Sequence, residues 1–365
     1  MKFSRNSTTR PDAAAVAARP SPVTIEPLEP RRFLSASLEV SNSDVIPGFE
    51  RMVFNRIREK SITLPNVTKE RGVLKLTNAG DQTLRFSDVK VSGPFRILGQ
   101  MPMSLAPGRS VSVTVQFTAN KPPPFTYNQT SGTNAANKAG AYIGSLSFAT
   151  NDPANPTYSE ALAGWFQTKN EDNQEPSLQT MVNLMMDYKT VINNGFIPHL
   201  EQTIEKRTLY GEEVASGYWQ AADPSKNVGV RQIGSWHTQG DTVDVSWFDK
   251  TNKSPKKLYT TAGVTGQSLL PTQQGKPLVK ANGSFSPGAA TFGFKVQNEW
   301  SVDALNPNQS AEGHHIRFFP LRDHFGNLLA NTYLMTMDYS QVAASQNWDF
   351  QDNVFILSNV KPAGN

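Results

Sequence analysis

Beyond residue 37 the chain alternates apolar and polar positions in short runs. Residues 73–77 (VLKLT), 84–91 (LRFSDVKV), 111–117 (VSVTVQF) and 143–149 set every second side chain on a common face, the period of a half-buried strand. Asn78-Ala79-Gly80-Asp81, Ser92-Gly93-Pro94 and Ala106-Pro107-Gly108 divide these runs with residues that turn a chain. Short strands at this spacing predict a β-sandwich. The pattern returns at 228–236, 242–248, 290–296, 315–321, 332–338 and 353–359. Each of these predicts a strand with one buried and one wetter face, and together they predict a second sandwich of jelly-roll type.

Between the two sets the period changes. Residues 169–176 are polar and unpatterned and read as a linker. Ser177 then stands where a helix N-cap would, and Leu178, Met181, Leu184, Met185 and Tyr188 recur on one face of a predicted helix near 177–189, three to four turns long. A methionine-rich stripe of this kind is expected to pack on a sheet. The expected architecture is therefore all-β: an immunoglobulin-like sandwich over 38–168, a jelly-roll-like sandwich over 177–365, and one short helix. Residues 119–142 interrupt the first set with a long insertion containing Pro122-Pro123-Pro124, Phe125 and Tyr127. Loops of that length are commonly functional, so it reads either as a contact surface or as a solvated hairpin extension.

Composition narrows the function classes. The 365 residues are 38% hydrophobic, enough apolar material for two cores. Of the formal net charge of +4, residues 1–36 hold a surplus of three, because Lys2, Arg5, Arg10, Arg19, Arg31 and Arg32 oppose only Asp12, Glu26 and Glu29. What remains is near neutral, so the charge gives no argument for nucleic-acid binding. There is no cysteine, which excludes disulfides, thiolate metal sites and a cysteine nucleophile. No run approaches the roughly 20 apolar residues of a membrane-spanning helix. The leader's Ala13–Ala18 run is short for the apolar core of a secretory signal and is closed by Arg19 and Pro20.

Leu28-Glu29-Pro30-Arg31-Arg32-Phe33-Leu34-Ser35-Ala36 resembles the LEPR-XLL motif found near the N-termini of large exported proteins of planctomycete-type bacteria. Leu28, Glu29, Pro30, Arg31 and Leu34 match it, and Phe33 stands where the motif usually has Leu. Pro, Ala and Arg dominate residues 1–37 with no apolar face, which predicts a disordered leader, and the resemblance implies that it engages export or sorting machinery, with a place at the cell surface or outside the cell. Leu76-Thr77-Asn78-Ala79-Gly80-Asp81, Val91-Ser92-Gly93-Pro94-Phe95, Leu105-Ala106-Pro107-Gly108, Gly144-Ser145-Leu146-Ser147-Phe148, Thr150-Asn151-Asp152-Pro153 and Leu162-Ala163-Gly164 resemble the ASH/hydin-like immunoglobulin-type family. That family implies fold more than function, because the sandwich serves as spacer, scaffold or docking module. Glu175-Pro176-Ser177-Leu178, His314-His315-Ile316-Arg317-Phe318-Phe319, Asn331-Thr332-Tyr333-Leu334-Met335 and Asp349-Phe350-Gln351-Asp352-Asn353-Val354-Phe355 are similar to a C-terminal β-domain of exported bacterial multidomain proteins.

Candidate chemistry gathers in the C-terminal half. Asp338, Asp349, Asp352 and Asn353 stand near the ends of two predicted strands, and calcium takes six to eight such oxygens. The competing expectation is Asx-turns that start the last strand. Trp236, Trp247, Trp300, Tyr333 and Trp348 are candidates for a glycan platform, since an aromatic face offers apolar area with a polar rim. Their alternative is the core. His314 and His315 are adjacent on a predicted strand and so point to opposite faces, which reads as backbone hydrogen bonding rather than shared metal ligation. No Gly-x-Ser-x-Gly elbow is present. The sequence thus favours a non-catalytic exported or cell-surface protein that binds glycan or an envelope protein, or scaffolds. A calcium-stabilised structural module is the alternative, and a glycan-acting hydrolase the more distant one.

Overall fold

The computed structural model describes residues 35–59, 67–123, 138–171, 174–192, 209–306, 314–339 and 349–364. The LEPR-like residues Leu28, Glu29, Pro30, Arg31, Phe33 and Leu34 lie outside the described residues, as do Phe125, Tyr127 and Trp348. Residues Ser35–Asn365 form one compact unit.

The first half supplies β1 (Leu38–Asn42), β2 (Arg51–Glu59), β3 (Arg71–Asn78), β4 (Leu84–Val91), β5 (Phe95–Leu98), β6 (Ser104–Leu105), β7 (Ser110–Phe117), β8 (Ala139–Thr150) and β9 (Thr157–Lys169). They make a four-stranded sheet ordered β1-β3-β7-β5 and a five-stranded sheet ordered β2-β9-β8-β4-β6. Lettered in chain order, with β1 and β2 as the two halves of strand A and the two-residue β6 left unlettered, these are the A-B-E-D and G-F-C arrangements of an immunoglobulin-type sandwich. Strand A changes sheets midway: β1 pairs antiparallel with β3, and β2 pairs parallel with β9. The insertion lies between β7 and β8, and its last residues, from Ala139, already belong to β8.

The second half supplies β10 (Tyr218–Ala221), β11 (Val228–Trp236), β12 (Val243–Asp249), β13 (Pro255–Thr261), β14 (Gln267–Leu269), β15 (Thr272–Gln273), β16 (Lys276–Lys280), β17 (Asn282–Phe285), β18 (Phe292–Val296), β19 (Glu299–Trp300), β20 (Ile316–Arg322), β21 (Leu328–Met337), β22 (Asn353–Ser358) and β23 (Val360–Gly364). One sheet runs β16-β15-β13-β12-β18-β10-β23 with β19 on β18, and the other runs β14-β11-β22-β21-β20 with β17 on β11. Neither takes a strand from the first half.

Side-chain alternation distributes three cores among these four sheets. Met52 and Phe54 of β2, and Leu162 and Phe166 of β9, enter the core inside the first sandwich. Val53, Ala163 and Trp165, on the other face of the same strands, enter a second core together with Ile233, Trp236, Leu334, Val354 and Ile356 of the second half. Val230, Phe355, Leu357 and Met335 then face a third core against β12 and β18. Within their sheets, β2 and β9 on one side and β11 and β22 on the other are therefore buried on both faces. The expectation of one wet face per strand fails there, and it holds for β3, where Gly72, Leu74, Leu76 and Asn78 are buried and the residues between them are not.

The segment 174–192 lies in the middle core. Its helix is one wide-turned piece, Thr180–Met185, rather than three to four turns. Ser177 does cap it, its Oγ accepting the Thr180 N–H at 3.2 Å. Met186 N–H donates to the Met181 carbonyl, a five-residue step, and Asp187 with φ 59° ends the helix. Met181, Val182, Met185, Met186 and Tyr188 are all buried, so burial extends beyond one stripe, while Lys189 and Val191 reach solvent. The linker reading changes likewise: Gln174 and Pro176 are buried, and Trp165 Nε1 donates to the Gln174 carbonyl at 3.1 Å. Residues 35–37 are no leader either, since Ala36 joins the first core and Ser35 N–H donates to Asp81 at 2.8 Å.

Candidate functional site

β21 ends at Met337, and β22 begins at Asn353. The turn between them returns to the sheet through Gln351, which bridges to Met337, and Phe350 adopts φ 55°, the left-handed region that a phenylalanine rarely occupies. Its ring is buried under the Arg317 guanidinium, 4.5 Å from the centroid, which holds the strained residue in place. This geometry folds three aspartates inward. Asp338 Oδ2 accepts the Asp349 N–H at 2.9 Å, and Asp352 Oδ2 accepts the Tyr339 N–H at 2.7 Å. Gln351 Nε2 donates to Asp349 Oδ2 at 2.8 Å.

The sequence-stated set is thus brought together in part. Asp338, Asp349 and Asp352 converge, whereas the Asn353 side-chain oxygen turns to the sheet interior and accepts from Gln232 Nε2 at 2.7 Å. A fourth carboxyl joins from the buried segment. Gln267 Nε2 donates to Glu175 Oε1 at 2.5 Å, and Gln351 Nε2 reaches Glu175 Oε2 at 3.5 Å. Glu175 was visible only as the residue before Pro176 and the Ser177 cap, with no acidic neighbour at calcium-loop spacing.

Burial first, and then the charge of Asp349, push the Asp338 carboxyl well above the usual carboxylate range. Burial likewise raises Asp352, with Asp338 and Asp349 adding to it. Glu175 is pushed up to about 8, mainly by burial, its bond from Gln267 offsetting part of the rise. Asp338 Oδ1 and Gln351 Oε1 are buried without a hydrogen-bond partner. Among the described residues no three His, Asp or Glu side chains are close enough together to hold a metal ion as they stand. The arrangement is an enclosed acidic cluster that asks for neutralisation, by protons or by a cation.

The aromatic candidates do not share a face. Trp236 and Trp247 are buried, the second stacked on Phe285 at 4.5 Å and 14°. Trp300 lies edge-on to Phe248 at 4.9 Å, and Tyr333 packs against Trp219 at 4.8 Å on a different sheet. Four of the five are therefore core or core-edge residues; apolar surface at these positions is used to hold sheets together.

The histidines also differ from their expected backbone role. His314 Nε2 meets Glu213 at 2.7 Å and Nδ1 meets Asp303 at 3.1 Å, while Glu213 also pairs with Arg317. Burial by itself would lower His314, and the contacts with Asp303 and Glu213 outweigh it and leave its pKa raised. His315, on the opposite face, pairs with Glu299 inside the fold. Neither glutamate nor Asp303 is near His314 in the sequence pattern, so no local signal announced the network.

No family model matches the chain, and no curated protein matches it. Among solved structures it is similar to the ASH/PapD-like domain of human CEP192, at 15% identity and TM-score 0.21, over 44% of this chain and 100% of that one. The periplasmic chaperone SfaE is similar at 9% identity and TM-score 0.25, over 80% and 96%. The secreted serine protease VesC of Vibrio cholerae is similar at 10% identity and TM-score 0.21, over 90% and 51%. The immunoglobulin-type character of the first sandwich rests on its own strand order.

Proposed function

We propose that this chain is a non-catalytic scaffolding module of the cell exterior, built to hold two sandwiches as one stiff body. The observation that supports it is the middle core, in which Val53, Ala163 and Trp165 of one half pack with Ile233, Trp236 and Val354 of the other around the buried methionines. Flexibly tethered domains keep small polar interfaces, whereas this one is apolar and encloses the connecting segment. Polar links reinforce it: Asn55 Nδ2 donates to the Gln267 carbonyl at 3.0 Å, and Leu269 N–H donates to Asn55 Oδ1 at 3.1 Å. Limited proteolysis tests the reading. Residues 174–192 should resist cleavage for as long as the cores do, and early release of an intact first sandwich would overturn it. The export part rests on the LEPR-like leader and is tested separately, by fusing residues 1–34 to a reporter in a planctomycete-type host; retention inside the cell would remove it.

The acidic cluster favours a second reading, in which calcium stabilises the same scaffold. Asp338, Asp349, Asp352 and Glu175 would have to draw closer than they now stand to hold the ion, and the buried Asp338 Oδ1 and Gln351 Oε1, which lack a hydrogen-bond partner, would supply oxygens. At free calcium 100 times its dissociation constant the gain would be about 2.7 kcal/mol. Identical melting in calcium and in chelator at pH 8 would leave protons as the neutralising agent. Among the described residues no helix is long and apolar enough to cross a membrane.

A further inference from the structure

We propose that the cleft between residues 67–71 of the first sandwich and 265–280 of the second binds an acidic saccharide, a sugar carrying carboxylate groups. The cleft encloses about 310 Å³ and is open to solvent, a size in the range of small-molecule sites. Its charge is one-sided. Lys69, Arg71 and Lys280 line it against a single acid, Asp44, which is already spent: Oδ1 pairs with Lys69 Nζ at 2.7 Å, and Oδ2 accepts the Val53 N–H at 2.9 Å. Lys280 makes no ion pair among the described residues. Partial burial first, and then the charge of Arg231, lower its pKa, with Asp44 opposing and Lys69 adding a smaller push. A carboxylate meeting Lys280 and Arg71 gains charge-assisted contacts without displacing an acidic partner, while Lys69 stays with Asp44.

The neutral lining selects the carrier of that carboxylate. Leu278 is 96% exposed and Val67 53% exposed on opposite walls, and both line the cleft. An apolar side chain so exposed beside cations suits the C–H face of a sugar ring, and the Thr68 hydroxyl, which donates to Glu70 at 3.4 Å, keeps accepting capacity for its rim. An acidic peptide is the poorer fit, because the wall strand Lys276–Lys280 carries Pro277 and terminal lysines, the features that block strand addition at a sheet edge. A nucleic acid lacks a platform, since no aromatic ring lines the cleft. The site is independent of the scaffolding reading, though both place it at the junction of the sandwiches.

The test is titration of the full chain by calorimetry with tetragalacturonate, with its methyl-esterified neutral form and with tetraglutamate. Tetragalacturonate should bind, weaken with added salt, and lose at least tenfold in affinity with Lys280→Gln or Arg71→Gln at unchanged melting temperature. The neutral tetramer should not bind. Absence of tetragalacturonate binding at millimolar concentration, unchanged affinity in both variants, or equal binding of the neutral form overturns the site. Equal binding of tetraglutamate overturns the saccharide and makes the cleft a contact for an acidic protein.

Discussion

Asp338 carries the sharpest consequence at the scale of single residues. A carboxyl whose pKa is raised by folding binds more protons in the native than in the unfolded state, so its contribution is greatest below the ordinary carboxylate range and declines as pH rises through the raised value. Asp338, Asp352 and Glu175 all shift in that direction, Glu175 to about 8. His314 acts with the same sign, since a raised histidine stabilises while protonated and loses that contribution as pH climbs past its folded value. The melting temperature should therefore fall steadily between pH 5 and pH 9 in chelator. Asp338→Asn should flatten that slope, because a side chain that does not titrate replaces a carboxyl whose pKa folding raises. A profile that is flat in the wild type would remove the cluster from the energetics.

Two glycines separate rigid from yielding packing at the same scale. A Cβ at Gly164 would come 2.5 Å from the Phe117 ring, which is itself locked against Phe54 and Phe95. A Cβ at Gly234 would come 2.4 Å from Met181 Sδ, near the flexible end of a methionine. Chemical denaturation should show Gly164→Ala costing about 1–3 kcal/mol and Gly234→Ala clearly less.

At the scale of elements, the buried segment depends on one side chain outside it. Arg51 Nη1 donates to the carbonyls of Leu184 at 2.8 Å and Met185 at 3.1 Å, closing the end of a helix too short to satisfy them itself. Arg51→Ala should cost about 1–3 kcal/mol, and Arg51→Lys should recover little, because Nη1 serves the two carbonyls while Nη2 lies 3.6 Å from Asp187, and an ammonium has no second nitrogen for that role. Elements of this kind also show where the sequence was readable. β3, β4 and β7 each have one wet face and announced themselves by alternation. β2 was not recognised, because Met52, Val53 and Phe54 serve two different cores and leave a continuous apolar run with no period. The helix was overextended for the same reason: Val182 and Met186 are buried beside the expected stripe, so a segment buried on more than one side was read as an amphipathic one. The three aspartates were legible as a cluster from spacing alone, whereas Glu175 is more than 150 positions from them in the chain and the tryptophans' burial depended on which sheet covered them.

At the scale of the whole molecule, three cores alternating with four sheets tie the two halves into a single cooperative structure. The middle core holds Met181, Met185, Trp165 and Trp236, and burying side chains of that size contributes about 1.5–3 kcal/mol each. Neither sandwich can expose its inner sheet to water without forfeiting that contribution, so the halves should unfold together. Differential scanning calorimetry of the full chain measures this most directly. The account predicts one transition with equal calorimetric and van't Hoff enthalpies, shifted downward as a single peak by Met185→Ala. Two resolved transitions, or a calorimetric enthalpy about twice the van't Hoff value with Met185→Ala moving only one component, would contradict it.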